Sequence, residues 1–443
     1  MPLTYEDWPF RHMRARSAEE TWRWWEGCYI SPDASLILGG GPHWLVVAGG
    51  TGSGKSVAIA DLEGREAQTS LIVRYPAERW PGAKQAWVPD GNHLAQIMAG
   101  AGLALRNYLV AQPSIIGGLS NVQRGFLRWL LTKYGGPRAY LRWVDGLEPS
   151  LAETFQGLAY EELYPSTTNP LDMQGQIDEL ASMARKLGFH RVLVTVDMDQ
   201  HEAQAHLGQV ESLFDLHDTM DHPGLVVAAA LPAEAIQNAR LIERARGRVT
   251  VVYLKWYAAQ TREISIKHIR QALGNPSAEW GDFVSNNLLY ELGEALVSEY
   301  GDNAPAGWVG LAESILHLAS REVDPLPLPL QRWHLLDTKR ALFARHMLLR
   351  LDPAGHGIWR GPKFIKLTGQ PLRFLKILKE RYPEPVNAED KGLIAIAGNK
   401  DNIHTIASRT RALIEPFTDH PVYLHNRRGD GGYWLEALNI NDK

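Results

Sequence analysis

Residues 49 to 56 read Gly49-Gly50-Thr51-Gly52-Ser53-Gly54-Lys55-Ser56, directly after the apolar run Trp44-Leu45-Val46-Val47-Ala48. The spacing G-x-x-x-x-G-K-[ST] behind a buried strand demands one local path: strand in, tight glycine turn, helix out. Glycines permit positive φ and close wrapping, so successive N–H groups and the following helix N-terminus converge on phosphate oxygens. Lys55 can reach the β- and γ-phosphates, and the Ser56 hydroxyl can ligate Mg²⁺. The whole stretch Gly49, Gly50, Thr51, Gly52, Ser53, Gly54, Lys55 and Ser56 is therefore expected to cradle a nucleoside triphosphate, ATP, with its Mg²⁺.

At 443 residues the chain exceeds one ordinary core, so two or three domains are expected. Apolar residues make up 45% and charged residues 22%, a soluble, globular balance. No signal-peptide pattern and no eighteen-residue apolar run occurs, which predicts a cytoplasmic protein without a membrane span. Cys28 is the only cysteine, excluding an internal disulfide and a Cys-based zinc site; its expected role is that of a small buried apolar residue. Net charge is uneven: residues 355–443 hold 14 Lys+Arg against 10 Asp+Glu, and the rest holds 32 against 40. A basic tail on an acidic body hints at a polyanionic partner for the tail. The fifteen tryptophans are expected to fill cores and domain contacts.

Helical periods run over 55–62, 93–111, 122–134 and 173–187, with a strand at 70–75. Arg191-Val192-Leu193-Val194-Thr195-Val196-Asp197 then reads as a buried central strand that delivers a carboxylate, Asp197, to the Mg²⁺ at its C-terminal edge. Residues 224–232 and 248–254 form two more apolar strands. Strands alternating with helices over 40–255 predict a parallel sheet with helices on both faces. From 258 to 321 the pattern is helical only, and Asp324-Pro325-Leu326-Pro327-Leu328-Pro329 reads as an extended linker. The expected domains are 1–257, a P-loop α/β domain; 258–322, a helical lid; 323–345, a proline-rich linker with a connecting helix; and 346–443.

The order of P-loop, helical insert, Asp-terminated strand, apolar strand ending in Leu231-Pro232, and helical lid resembles the AAA+/STAND class of signal-transducing NTPases, including origin-recognition-like members. The resemblance covers roughly residues 10–322, and its specific part is the P-loop. It implies an acid beside Asp197 that polarises the attacking water. Met198 stands in the adjacent place, and Asp199 is the best of the neighbours Asp199, Gln200 and Glu202; it serves equally well as a helix cap. Lys55, Asp197 and Asp199 are thus the candidate catalytic residues, and Ser56 and Asp197 the Mg²⁺ ligands. The resemblance also implies a polar γ-phosphate sensor at the end of 224–231, where Ala228, Ala229 and Ala230 stand, and an Arg in the lid segment 304–310, which has none. Because phosphoryl transfer is catalysed by positioned charges, these gaps predict slow hydrolysis. Arg240, Arg244, Arg246 and Arg248 could supply an arginine finger to a neighbouring copy or form a solvated basic helix end.

Residues 346–437 resemble the OmpR-type winged helix-turn-helix. The carriers are Leu367-Thr368 opening a first helix, Ser408, Arg409 and Arg411 in a recognition helix, and Arg428, Gly429, Gly432 and Tyr433 in a wing. In such domains the recognition helix enters the major groove and wing arginines approach phosphates. His404, Thr405, Ser408 and Arg409 are the implied groove-facing residues, with Arg427 and Arg428 on the wing. Asp430 in the wing, and Ala412 and Leu413 where cations are expected, depart from the pattern, and winged helices also dock proteins. Three functions follow as expectations. The first is an ATP-dependent switch of STAND type, a slow ATPase whose winged helix is exposed or reoriented to bind double-stranded DNA, for transcription regulation or defence against mobile elements. The second is a DNA-remodelling AAA+ ATPase of origin-recognition or transposition type. The third is a non-hydrolysing adaptor. Each implies a protein partner or self-assembly.

Overall fold

The computed structural model describes residues 27–30, 44–75, 93–133, 137–156, 158, 173–198, 203, 207–218, 220–244, 248–352, 355–417, 420–427 and 432–439. The chain divides into two units: one contains 44–49 and 54–254, the other 27–30, 50–53 and everything described from 255 onward.

The first unit is built on five parallel strands: β1 (Trp44–Gly49), β2 (Ser70–Tyr75), β3 (Arg191–Asp197), β4 (Leu225–Pro232) and β5 (Val249–Tyr253). Their order is β2-β3-β4-β1-β5, so β4 lies between the strand that feeds the P-loop and the strand that ends in Asp197. β1 and β4 are buried at every position, as expected of apolar runs covered on both faces. Alternation sorts the side chains. Leu45, Val47, Leu193, Val226, Ala228 and Ala230 pack with Ala58, Ile59 and Leu62 of the P-loop helix, Lys55–Glu66. Trp44, Val46, Ala48, Val192, Val194, Val196, Val227 and Ala229 face the other way, onto a layer that includes His93–Ala111, Asn121–Lys133 and Met173–Lys186. Each fully buried Leu or Val there contributes about 1.5–3 kcal/mol. The parallel sheet with helices on both faces is the architecture expected from the sequence. Among the described residues no helix is long and apolar enough to cross a membrane.

The second unit begins with helices Ala258–Leu273, Asn286–Tyr300, Pro305–Ala319 and Leu335–His346. It continues as a three-stranded antiparallel sheet, β6 (Leu349–Leu351), β7 (Gly357–Arg360) and β8 (Lys363–Lys366), with β8 at an edge. Three helices follow, Gly369–Arg381, Lys391–Ala397 and Lys400–Ile414, then the hairpin β9 (Leu424–Asn426) and β10 (Tyr433–Leu435). One apolar cluster runs from Ile264 through Trp308, Leu342 and Ile358 to Tyr433 and Leu438. The helices and the C-terminal sheet thus share a core. Cys28 is buried, and burial, partly offset by Lys267, pushes its thiol up to about 12, as suits a small apolar residue.

That core contains a histidine with a thermodynamic consequence. Burial drives His268 down to about 4, against the opposing effect of its Nδ1 hydrogen bond to the Ile264 carbonyl, 2.9 Å. His317 is also held at about 4, by burial and then by Arg345 and Arg321. Both bind protons more tightly when unfolded, near 6.5, so the folded state loses stability as pH falls from about 6.5 to about 4. Urea midpoints that decline over this window are expected; a midpoint unchanged between its two ends would contradict it.

Candidate functional site

Gly54 sits in the left-handed region (φ 89°) immediately before the P-loop helix, whose N-terminus carries no side-chain cap. Gly52 is left-handed too (φ 76°), and a Cβ there would lie 2.8 Å from the Ala306 Cβ and 2.9 Å from Tyr300. The loop carbonyls are engaged: Gly50 O accepts from Ser53 N (3.3 Å), Gly52 O from Ala306 N (3.1 Å) and Ser53 O from Trp256 Nε1 (2.7 Å). The Ser53 hydroxyl is buried and makes no hydrogen bond. Lys55, 8% exposed, donates to the Gly49 carbonyl at 3.1 Å.

Ser56 Oγ donates to Asp197 Oδ1 at 2.9 Å, so two residues 141 positions apart meet at the C-terminal edge of β3. Two turns along the same helix, Glu63 accepts from Thr195 Oγ1 (2.5 Å) and from Arg74 Nε and Nη2 (3.0 and 2.7 Å). Thr195 and Asp197 are two apart and so share one face of β3. The Glu63 network therefore locks the register between helix and strand that brings Ser56 to Asp197. Glu63, Thr195, Arg74 and Trp256 escaped the sequence reading; the available signal was an acid, Glu63, on the apolar face of the P-loop helix.

β4 presents no polar side chain at this edge. Its register sets Ala230 beside Asp197 and Pro232 beside Gly49, and 228–231 are wholly buried. The first turn of Pro305–Ala319 likewise holds no arginine. Asp199, with Gln200 and Glu202, lies outside the described residues, as does Arg246. Arg244 Nη1 lies 2.9 Å from each carboxylate oxygen of Asp215, and Arg248 pairs with Asp218 (3.1 Å) and with Asp221.

In the C-terminal region His404, Thr405, Ser408 and Arg409 are all exposed on Lys400–Ile414, whose buried side is Ile403, Ile406, Ala407, Thr410 and Ile414. The His404 ring is hydrogen-bonded to the Tyr433 hydroxyl. Arg411 holds β9, donating to the Leu424 carbonyl (2.9 Å) and to Asn426 (3.1 Å). Glu415 completes the clamp by accepting from the N–H groups of Val422, Tyr423 and Leu424 at 2.6–2.9 Å. Arg427 is exposed and closes the hairpin through its N–H to Gly432 O (3.1 Å), while Arg428, Gly429 and Asp430 lie outside the described residues.

The sheet, the glycine loop and the helix that leaves it define a P-loop nucleoside-triphosphatase fold with an appended C-terminal domain. No family model and no curated protein matches the chain. Among solved structures it is similar to the Aeropyrum pernix ORC2 protein in its ADPNP–ADP complexes, at 11% identity over 92% of this chain and 87% of that one, TM-score 0.34. It is also similar to the Aeropyrum pernix ORC1 protein in complex with DNA (12%, 89% and 84%, TM-score 0.35) and to Cdc6p from Pyrobaculum aerophilum (10%, 89% and 84%, TM-score 0.31). Likeness at this level says nothing about ligand, partner or activity.

Proposed function

We propose that the chain binds ATP with Mg²⁺ at residues 49–56 and uses it to control a C-terminal domain directed at double-stranded DNA. The observation that carries this reading is the 2.9 Å contact between Ser56 and Asp197, a hydroxyl and a carboxylate brought together beside a glycine loop and an uncapped helix N-terminus. Mg²⁺ is commonly held by one or two protein groups plus substrate phosphates. The donor set fits that pattern, and among the described residues no larger His, Cys, Asp or Glu cluster could hold a metal. The buried, unpartnered Ser53 hydroxyl suits a phosphate oxygen in the same way. Ser56 and Asp197 would hold the ion, which would neutralise phosphate charge; Lys55 would add a point charge.

Turnover is slow in this reading. β4 ends in alanine, leucine and proline, and the lid segment supplies no cation, so little positioned charge is available to the transferring phosphoryl group. An assembly-dependent DNA-remodelling ATPase of origin-recognition type would share every part named so far and would add a cation donated between copies. Arg244 and Arg248 are already matched by carboxylates of their own chain, which favours the autonomous switch. The test is a DNA-binding titration of wild type and Lys55→Ala with no nucleotide, with ADP and with a non-hydrolysable ATP analogue. Affinity that changes with the analogue in wild type alone supports the switch; identical curves in all arms contradict it.

A further inference from the structure

The cationic surplus of the C-terminal region is confined to one segment. Residues 355–381 carry seven Lys+Arg and a single acid, Glu380, whereas 382–443 carry seven against nine. The helix assigned to the groove, Lys400–Ile414, carries three Lys+Arg against one acid, Asp401, but two of those cations are engaged. Of its cations, Lys400 is paired with Glu389 at 2.7 Å and Arg411 is committed to the Leu424 carbonyl and Asn426. That leaves Arg409, which is exposed.

The basic segment divides by environment. Arg360 is buried on Glu299, Lys363 also lies 3.5 Å from Glu299, and Lys379 and Arg381 occupy the last turn of their helix, where a cation complements the dipole. Lys366, Arg373 and Lys376 have no such account. All are exposed, and none of the three side chains has a hydrogen bond or ion pair among the described residues. The fold gathers them: Lys366 pairs with Gly357 across β7 and β8, and Leu367 N bonds to His356 O (3.2 Å). A Cβ on Gly355 would lie 3.5 Å from the Lys376 Nζ, and Arg373 is one helical turn before Lys376. The exposed Phe364 lies on β8, and the exposed His356 directly precedes β7.

Resting on the reading of this domain as DNA-directed, we propose that the phosphate backbone of duplex DNA docks on the face formed by β8 and helix Gly369–Arg381, through Lys366, Arg373 and Lys376, and not primarily on helix Lys400–Ile414. Uncompensated cations on one face attract a polyanion and release its counterions, each phosphate contact adding about 0.9 to the salt slope of binding. The three together contribute roughly 2.7.

The test is fluorescence anisotropy of the full chain with a mixed-sequence duplex, from about 50 to 200 mM salt. Lys366→Glu/Arg373→Glu/Lys376→Glu should lose more than tenfold in affinity and lower the slope by roughly 2 to 3. The Gln triple should fall between this variant and wild type, and Ser408→Ala/Arg409→Ala should stay within about threefold of wild type. Denaturation midpoints should not move, because the side chains are exposed and unpaired. Wild-type binding and slope in both triple variants would overturn the proposal and leave the DNA reading standing. Wild type that ignores duplex DNA at low salt, or binds only anionic phospholipid vesicles, would overturn both.

Discussion

Replacing Arg360 by alanine destabilises the second unit by about 3–5 kcal/mol, the usual cost of stripping one partner from a buried ion pair. Arg360 and Glu299 have side chains only 8% and 9% exposed, joined by three N–H···O contacts of 2.8–3.2 Å. Arg360 Nη1 also donates to the Ile414 carbonyl at the end of helix Lys400–Ile414, 3.0 Å. Its loss leaves a buried carboxylate facing Lys363 at 3.5 Å and a carbonyl without its donor. Glu299→Leu/Arg360→Met should instead lie within about 2 kcal/mol of wild type, since apolar replacements often match a buried pair. Urea unfolding followed by tryptophan fluorescence reads both; an Arg360→Ala midpoint equal to wild type would show that the pair bears no structural weight. Glu299 adjoins Tyr300, which packs on Gly52, so the same helix touches the P-loop tip and anchors the C-terminal sheet.

Lys55→Ala is expected to weaken Mg·ATP binding by about tenfold to a hundredfold. The lost contact is a charge-assisted hydrogen bond to phosphate, worth about 1.5–3 kcal/mol, and tenfold corresponds to about 1.4 kcal/mol. Lys55 is nearly buried, and its ammonium is held at the Gly49 carbonyl, so it is ordered before any ligand arrives. Asp197→Asn should reduce affinity with Mg²⁺ and leave affinity in excess chelator unchanged, because its carboxylate acts through the metal. Fold integrity is checked by circular dichroism of each variant.

The sheet was legible because a parallel strand covered on both faces must be a nearly continuous apolar run, and β1 and β4 are such runs, as is the interior of β3 apart from Thr195. The Ser56–Asp197 meeting was legible for a related reason: an acid at the end of a central strand has few places to go but the loop edge. Glu63 with Thr195 and Arg360 with Glu299 were not, since pairings 132 and 61 residues apart leave no local periodicity. Ser408, Arg409 and Arg411 show a finer limit. A pattern of residue types groups them, yet two positions turn a helix by about 200°, so Arg409 is exposed while Arg411 is drawn to β9. Which cations remain free depends on distant carbonyls and carboxylates, and only the folded chain shows them.

Residues 49–56 with Asp197 are proposed to hold Mg·ATP. Isothermal titration of the full chain with ATP tests this most directly, in Mg²⁺ and in excess chelator, for wild type and Lys55→Ala. Saturable binding by wild type, tightened by Mg²⁺ and weakened at least tenfold by the substitution, is the expected result. Absence of binding by wild type, or equal binding by both proteins irrespective of Mg²⁺, would contradict the account.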